Sequence, residues 1–356
     1  MFRNAGTHLF IRQTPMRSLG ADDIGRDVYD VALATDDREP RKAVIALRLK
    51  IVGSAAGGGF PQWNCNYRLS RAARAGAAGV RRRTQSSLAA SANGRDWVLF
   101  NASPDILHQI AETPDLQPRS DGPLRSSPIR AVVLTNADVD HVAGLLSLRE
   151  RQPFAIYATA EVLAVLDANS IFNVLDRDVV PRRQLPEGEF EVCDADGRGT
   201  GVRIESFAVP GKVALYMEAS RPDADFASDS GDTTGIRIAG RKGGGSVFYI
   251  PGCARIDAAL RSRLSGAACL LFDGTVFTDD EMITAGVGTK TGARMGHIAM
   301  SGPKGSIAGL KDVKVGRRIF VHINNTNPVL DENSAEHAAV RAAGWEVAHD
   351  GMEIEL

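Results

Sequence analysis

The run Ile129-Arg130-Ala131-Val132-Val133-Leu134-Thr135-Asn136-Ala137-Asp138-Val139-Asp140-His141 joins an apolar, β-branched segment to a tight cluster of polar side chains. The first part reads as a buried strand and the second as the loop at its end. Asp138, Asp140 and His141 lie within four residues. They offer hard carboxylate oxygens and a borderline imidazole nitrogen, a good nest for a divalent cation. The same residues suit an acidic turn whose Asp138 caps the next helix. Spacing alone leaves both readings open.

Working outward, three other segments repeat this grammar of apolar run followed by polar cluster: Tyr249–Cys253, Leu270–Asp273 and Phe320–Asn325. Loops at strand ends are where α/β scaffolds place function. His297, in the Gly-flanked Met295-Gly296-His297-Ile298, is a further candidate. Upstream, the strand-like Val44–Val52 leads into Gly53-Ser54-Ala55-Ala56-Gly57-Gly58-Gly59. That loop lacks the Lys-Ser/Thr of a phosphate-cradling Walker loop and reads as a tight turn with close backbone approach.

Further strands are expected at Ser86–Ser91, Trp97–Asn101, Ala155–Ala158, Val202–Val209, Val213–Ala219, Thr234–Ala239, Ser246–Ile250, Cys269–Asp273 and Ile319–Ile323. Helices are expected at Asp105–Glu112, Leu145–Arg151, Ala160–Asn169, Arg255–Leu264, Ser306–Leu310 and Glu332–Ala343. Strands cluster in each half of the chain, which predicts an α/β fold of two packed sheets with helices outside.

The 356 residues carry a net charge of −1, so the molecule is not built to coat nucleic acid or an anionic membrane. The four cysteines are scattered without a CxxC pair, which fits a reducing cytoplasm. No apolar run is long enough to span a bilayer. Residues 1–44 are mixed and charged, and read as a poorly ordered extension or as sequence from an upstream start. Residues 45–356 read as one domain.

The strings Gly53–Cys65 (GSAAGGGFPQWNC), Arg83–Ser87 (RTQSS), Asn101–Asp105 (NASPD) and His322–Leu330 (HINNTNPVL) resemble the coenzyme PQQ synthesis protein B family, within the metallo-β-lactamase superfamily. The resemblance runs from about Leu49 to Leu356. It implies an αββα four-layer sandwich with its site in loops at one sheet edge. It also implies a role in pyrroloquinoline quinone (PQQ) biosynthesis, alongside other enzymes of that pathway. The activity it suggests is an iron-dependent oxygenase hydroxylating a tyrosine-derived precursor made from a Glu–Tyr pair of a small peptide. Two alternatives stay open: a soluble carrier moving PQQ or its precursor toward the periplasm, and a zinc hydrolase.

The chain departs from the superfamily pattern His-x-His-x-Asp-His. Asn136 and Asp138 stand where the first two histidines would be, Cys253 falls near the bridging aspartate position, and the loop with Lys212 lacks a histidine. The expected metal ligands are therefore drawn from Asp138, Asp140, His141 and His322. His141 and His322 with one carboxylate would make a face suited to Fe(II), with Zn as its rival. His297 and Asp273 are expected to orient substrate or move protons.

Arg83, Asn324, Asn325, Asn327, Gly58 and Gly59 are expected to contact substrate. Arg83 in particular is expected to pair a carboxylate of a polycarboxylate ligand. The other arginines of the stretch, Arg68, Arg71, Arg74, Arg81 and Arg82, are left on the surface. A structural zinc of the family, held by cysteines after PQWNC, is expected to be absent, because Tyr67 and Ser70 stand where cysteines would be. Packing by Tyr67 and Leu69 would substitute for it.

Overall fold

Two sheets carry the fold, and the computed structural model describes residues 47–211, 232–240 and 245–356 of it. The expected extension at 1–44, Lys212 and the expected strand Val213–Ala219 lie outside the described residues. The first sheet collects β1 (Arg48–Gly53), β2 (Ser87–Ser91), β3 (Trp97–Phe100), β4 (Ile129–Val133), β5 (Ala155–Ala158) and β6 (Arg182–Gln184). The second collects β7 (Glu189–Cys193), β8 (Gly199–Ala208), β9 (Thr234–Ala239), β10 (Val247–Ile250), β11 (Ala267–Asp273), β12 (Val315–Val321) and β13 (Glu346–Val347). The chain then returns to the first sheet as β14 (Met352–Glu355) beside β1, so each sheet has seven strands among the described residues. Within them β3, β4 and β5 run parallel, as do β10, β11, β12 and β13.

Central strands such as β2, β3, β5 and β10 are buried at every residue. An unbroken apolar run is what a strand covered on both faces requires. Between the sheets lie Ile51, Leu88, Phe100 and Val133, meeting Ile204, Ile236, Tyr249, Leu271 and Val321. The outer face of the first sheet packs Trp97, Leu99 and Val132 against α2 (Ile106–Glu112), α3 (Val139–Val142) and α4 (Ala160–Ala168). The outer face of the second packs Phe248, Leu270, Phe272 and Phe320 against α1 (Arg68–Arg74), α5 (Ala258–Leu264) and α6 (Ala335–Ala342). The result is the four-layer αββα sandwich.

Each fully buried Leu or Phe here contributes roughly 1.5–3 kcal/mol. Phe320 also stacks on Trp345 with centroids 4.1 Å apart. Truncating it to Ala costs about 3–5 kcal/mol. Helix starts are set by side-chain caps: Thr159, Asp257 and Ser334 accept the N–H of Val162, Leu260 and His337.

Two local expectations change. Leu145–Arg151 forms a 3-10 segment, Ala143–Leu148, instead of an α-helix. The first part of the arginine-rich stretch, Arg68–Arg74, is helix α1, whose Leu69, Ser70 and Ala73 turn inward. Leu69 and Tyr67 both pack in the outer core of the second sheet. No helix among the described residues is long and apolar enough to cross a membrane.

Candidate metal centre

The end of β4 is held rigidly before it releases its polar residues. Thr135 donates its N–H to Asn101 Oδ1 (2.9 Å), and its carbonyl accepts both the N–H and the hydroxyl of Thr234 across the seam between the sheets (2.9 Å each). Asn136 Oδ1 then accepts the N–H of Asp138 at 2.9 Å, an Asx turn that starts α3. This one helical turn raises Asp140 and His141. Asp138 occupies the N-cap position, but its side chain makes no capping hydrogen bond.

The partner residues come from the second sheet. Asp273 closes β11, in register with Val321 of the parallel β12. His322 follows directly, with a left-handed φ of 57°. A non-glycine residue in that conformation stores strain, which the surrounding structure must hold in place.

Ligand atoms of Asp140, His141 and His322 lie within 4.8 Å of one another, and so do those of Asp273, His297 and His322. His322 is common to both groups. The three imidazoles stack in a row: His141 and His322 at 5.4 Å between centroids, His322 and His297 at 5.1 Å. Asp140 reaches both ends of its group, with Oδ1 at 3.2 Å from His141 Nδ1 and Oδ2 at 3.2 Å from His322 Nε2.

Hydrogen bonding separates the two groups. The carboxylate of Asp273 is saturated. Its Oδ1 accepts the N–H and hydroxyl of Thr275 (3.0 and 2.7 Å), and its Oδ2 accepts from Cys253 N (2.9 Å) and His297 Nδ1 (2.8 Å). With its oxygens taken by four donors it anchors the loop, and it is not free to ligate. By contrast, His141 is buried, and neither ring nitrogen completes a hydrogen bond among the described residues. A buried imidazole left so is costly unless something else satisfies it. Asp140, His141 and His322 therefore fit a cation, and Asp273 with His297 fits a supporting hydrogen-bond network.

The charges agree with that division. Burial works against ionisation of Asp140, but the imidazoles of His141 and His322 overrule it and hold the carboxyl well below the usual range. Burial likewise opposes charge on His141, and the adjacent Asp140 carboxylate outweighs it and raises the imidazole. For His322 burial wins, helped by His297 and His141, and its pKa falls despite Asp140.

A cavity of about 300 Å³ opens over this cluster. Asp138, Asn136, Gln62 and Asn324 line it, together with Met282, Lys290 and Met295. Asp138 thus faces the cavity but belongs to neither ligand group. Asn324 donates to Thr326 Oγ1 at 2.7 Å. Asn325 is buried and donates to Gln62 Oε1. Asn327 is fully buried and serves the fold: it donates to Gly274 O and accepts from Val329 N.

The glycine loop contributes Ala56 and Gly57 to the wall, not Gly58 and Gly59. A Cβ on Gly57 would lie 3.5 Å from the Asp140 carboxyl. Gly58 instead donates its N–H to Gln85 Oε1 (2.9 Å). Both Gly58 and Gly59 take positive φ, 89° and 69°, to turn the chain away. Arg83 is not at this cavity; it lines a separate one. Cys253 is buried in apolar surroundings that push its thiol up, the behaviour of an inert cysteine.

Sequence reasoning missed Thr275. Its hydroxyl lies 2.7 Å from Asp273 Oδ1, 2.8 Å from His322 Nδ1 and 3.0 Å from His297 Nδ1. Its position two residues after Asp273 was the available signal. Gln62 and Met295 lay within quoted segments but were not singled out, and Met282 and Lys290 lie in segments with no such motif.

Comparison with known proteins agrees with this architecture. Residues 96–323 match the beta-lactamase superfamily domain. The chain is 53% identical to coenzyme PQQ synthesis protein B of Methylorubrum extorquens over 311 residues, covering 87% of this chain and 100% of that one. It is 54% identical to the same protein of Methylobacterium nodulans over 307 residues, 86% of this chain and 99% of that one. Among solved structures it is similar to Zn(2+)-bound PqqB from Methylobacterium extorquens, with a TM-score of 0.82 and 52% identity over 87% of this chain and 100% of that one. A diphosphatase of the PhnP family, 19% identical with a TM-score of 0.60 over 87% of this chain and 97% of that one, shares the fold. A cluster of two imidazoles and a carboxylate at the seam of an αββα sandwich, and this extent of identity, lead to one conclusion: the chain belongs to the coenzyme PQQ synthesis protein B family of the metallo-β-lactamase superfamily.

Proposed function

We propose that this chain is an oxygenase of PQQ biosynthesis that hydroxylates a tyrosine-derived precursor, with iron held by Asp140, His141 and His322; one atom of O₂ enters the product and the other leaves as water, the two electrons coming from an added two-electron reductant. The observation that supports this most is the pairing of one carboxylate with two buried imidazoles beside an open cavity. Fe(II) in a face of that kind supplies open coordination positions and redox chemistry with O₂.

The protein's own groups do the rest. Thr275 gives its proton to Asp273, so its oxygen accepts the Nδ1–H of His322 when a metal is bound, and Nε2, 3.2 Å from Asp140 Oδ2, is the nitrogen that would ligate it. Asp273 takes the Nδ1–H of His297, which leaves Nε2 of that ring able to accept a phenol proton. Gln62 and Asn324 on the wall offer amides to the polar ends of a substrate.

The Zn(2+)-bound relative favours a second reading, a zinc site that activates water for hydrolysis. The test begins with elemental analysis of protein purified without chelator. Protein loaded with Fe(II) without air is then given a dihydroxyphenyl substrate, a two-electron reductant and O₂. Oxygen uptake that disappears in His141→Ala and His322→Ala is the expected result. Ester or lactam hydrolysis with zinc bound would establish the hydrolase instead. Tight PQQ binding without metal or turnover would establish a carrier.

A further inference from the structure

Arg83 sits in the wall of a second cavity of about 470 Å³, beside Phe60, Pro61, Thr84, His108 and Gln109. Only 4% of it is exposed. Its backbone is fixed by two hydrogen bonds with Phe60 (2.7 and 2.8 Å). Its guanidinium is poorly satisfied: Nη1 makes one long bond to Ser54 Oγ at 3.3 Å, and Nε has no partner among the described residues. Burial pushes its pKa down to about 10 against the pull of Asp350 and Glu332, so it remains a cation at neutral pH.

The nearby acids do not neutralise it by contact. Asp350 spends Oδ1 on the N–H and hydroxyl of Ser54 (2.9 and 2.7 Å) and Oδ2 on those of Thr84 (2.6 and 2.7 Å). Glu332 pairs with Arg81 at 2.9 Å. Glu112 lines the same cavity but is exposed to water. A second buried atom of opposite character belongs to a residue lining the same cavity: Gln109 Oε1, an acceptor with no hydrogen-bond partner among the described residues. Its own amide nitrogen is already committed to Thr84 Oγ1 (2.9 Å) and Gln85 O (2.8 Å).

A buried forked donor and a buried orphan acceptor among the residues lining one cavity define a ligand by its chemistry. We propose that this cavity binds a small carboxylate that carries its own neighbouring O–H or N–H donor, such as a hydroxy acid or an amino acid. The carboxylate meets the Arg83 fork and the donor meets Gln109 Oε1. The site is independent of the metal centre. The two cavities have no lining residue in common: Gly57 lines the first, and Phe60 and Pro61 the second.

The test is calorimetric titration of the full chain with L-lactate, L-glutamate and inorganic phosphate. Saturable binding of lactate or glutamate is expected, weakened about tenfold or more in Arg83→Gln, from loss of a charged hydrogen bond. His141→Ala should bind equally well, which separates this site from chelation at the metal centre. Should Arg83→Gln fail to fold, Arg83→Lys keeps the charge, loses the fork, and should still bind more weakly than the parent. No saturable heat from either carboxylate, binding of phosphate alone, or undiminished binding in the Arg83 variants would overturn the proposal.

Discussion

The Thr275 hydroxyl stands 2.8 Å from Nδ1 of His322, and this contact decides which nitrogen of the ring faces Asp140. Because the same hydroxyl lies 2.7 Å from the Asp273 carboxylate, its proton goes to the stronger acceptor and its oxygen is left to receive from the imidazole. Thr275→Val keeps the shape and deletes that acceptor. Metal affinity, followed by competition with a chromophoric chelator, should fall about 10- to 100-fold. Thr275→Ser should retain most of it. Equal affinity in the Val variant would mean that the ring is oriented by something else.

Asp140 and Asp138 should separate cleanly. Asp140 touches both imidazoles, whereas Asp138 lines the cavity outside the ligand group. Asp140→Asn should therefore abolish stoichiometric metal uptake, and Asp138→Asn should leave the bound metal per chain unchanged. Elemental analysis of both variants after dialysis reads the difference directly.

The left-handed backbone of His322 gives a stability test that needs no metal. An Ala at this φ pays the Cβ penalty that a Gly avoids. His322→Gly should be more stable than His322→Ala by about 1 kcal/mol in urea denaturation. At an ordinary helix or strand position the order would be reversed.

Glu281 ties the metal-cavity wall to the asparagine loop. It accepts from Thr326 Oγ1 (2.6 Å) and from the N–H of Phe277 (2.7 Å). Burial lifts its pKa from the ordinary 4.5 to about 7, only partly offset by those two donors. A raised carboxyl means that the folded chain keeps a proton the unfolded chain releases. Its contribution is thus fully present below pH 4.5, falls as pH rises toward about 7, and is level beyond. The loss across that window is on the order of 3 kcal/mol. Glu281→Gln cannot ionise, so it should gain on the parent as pH rises. Urea midpoints at about pH 5 and about pH 8 would check this. A difference between the two proteins that does not change with pH would refute it.

Much of the sandwich could be read from the chain because its central strands are unbroken apolar runs. The edges could not. β7 (EFEVC) and β14 (MEIE) mix charge with apolar residues, as solvent-facing edge strands do, and they look like loops in a linear reading. Asp140, His141 and His322 stood out because charged and aromatic ligands follow clean strands. Thr275 did not, since a neutral hydroxyl is ordinary until its three neighbours are seen together. Arg83 was singled out for carboxylates, but no local pattern tells on which side of the Gly57–Phe60 loop a side chain will fall.

Asp140 and His141 hang from the first sheet, and His322 from the second. An ion gripped by all three would rivet one slab of the sandwich to the other at the rim. Stripping it would then do more than silence chemistry: it would take out a cross-brace, and the two slabs would melt at a lower temperature than when riveted.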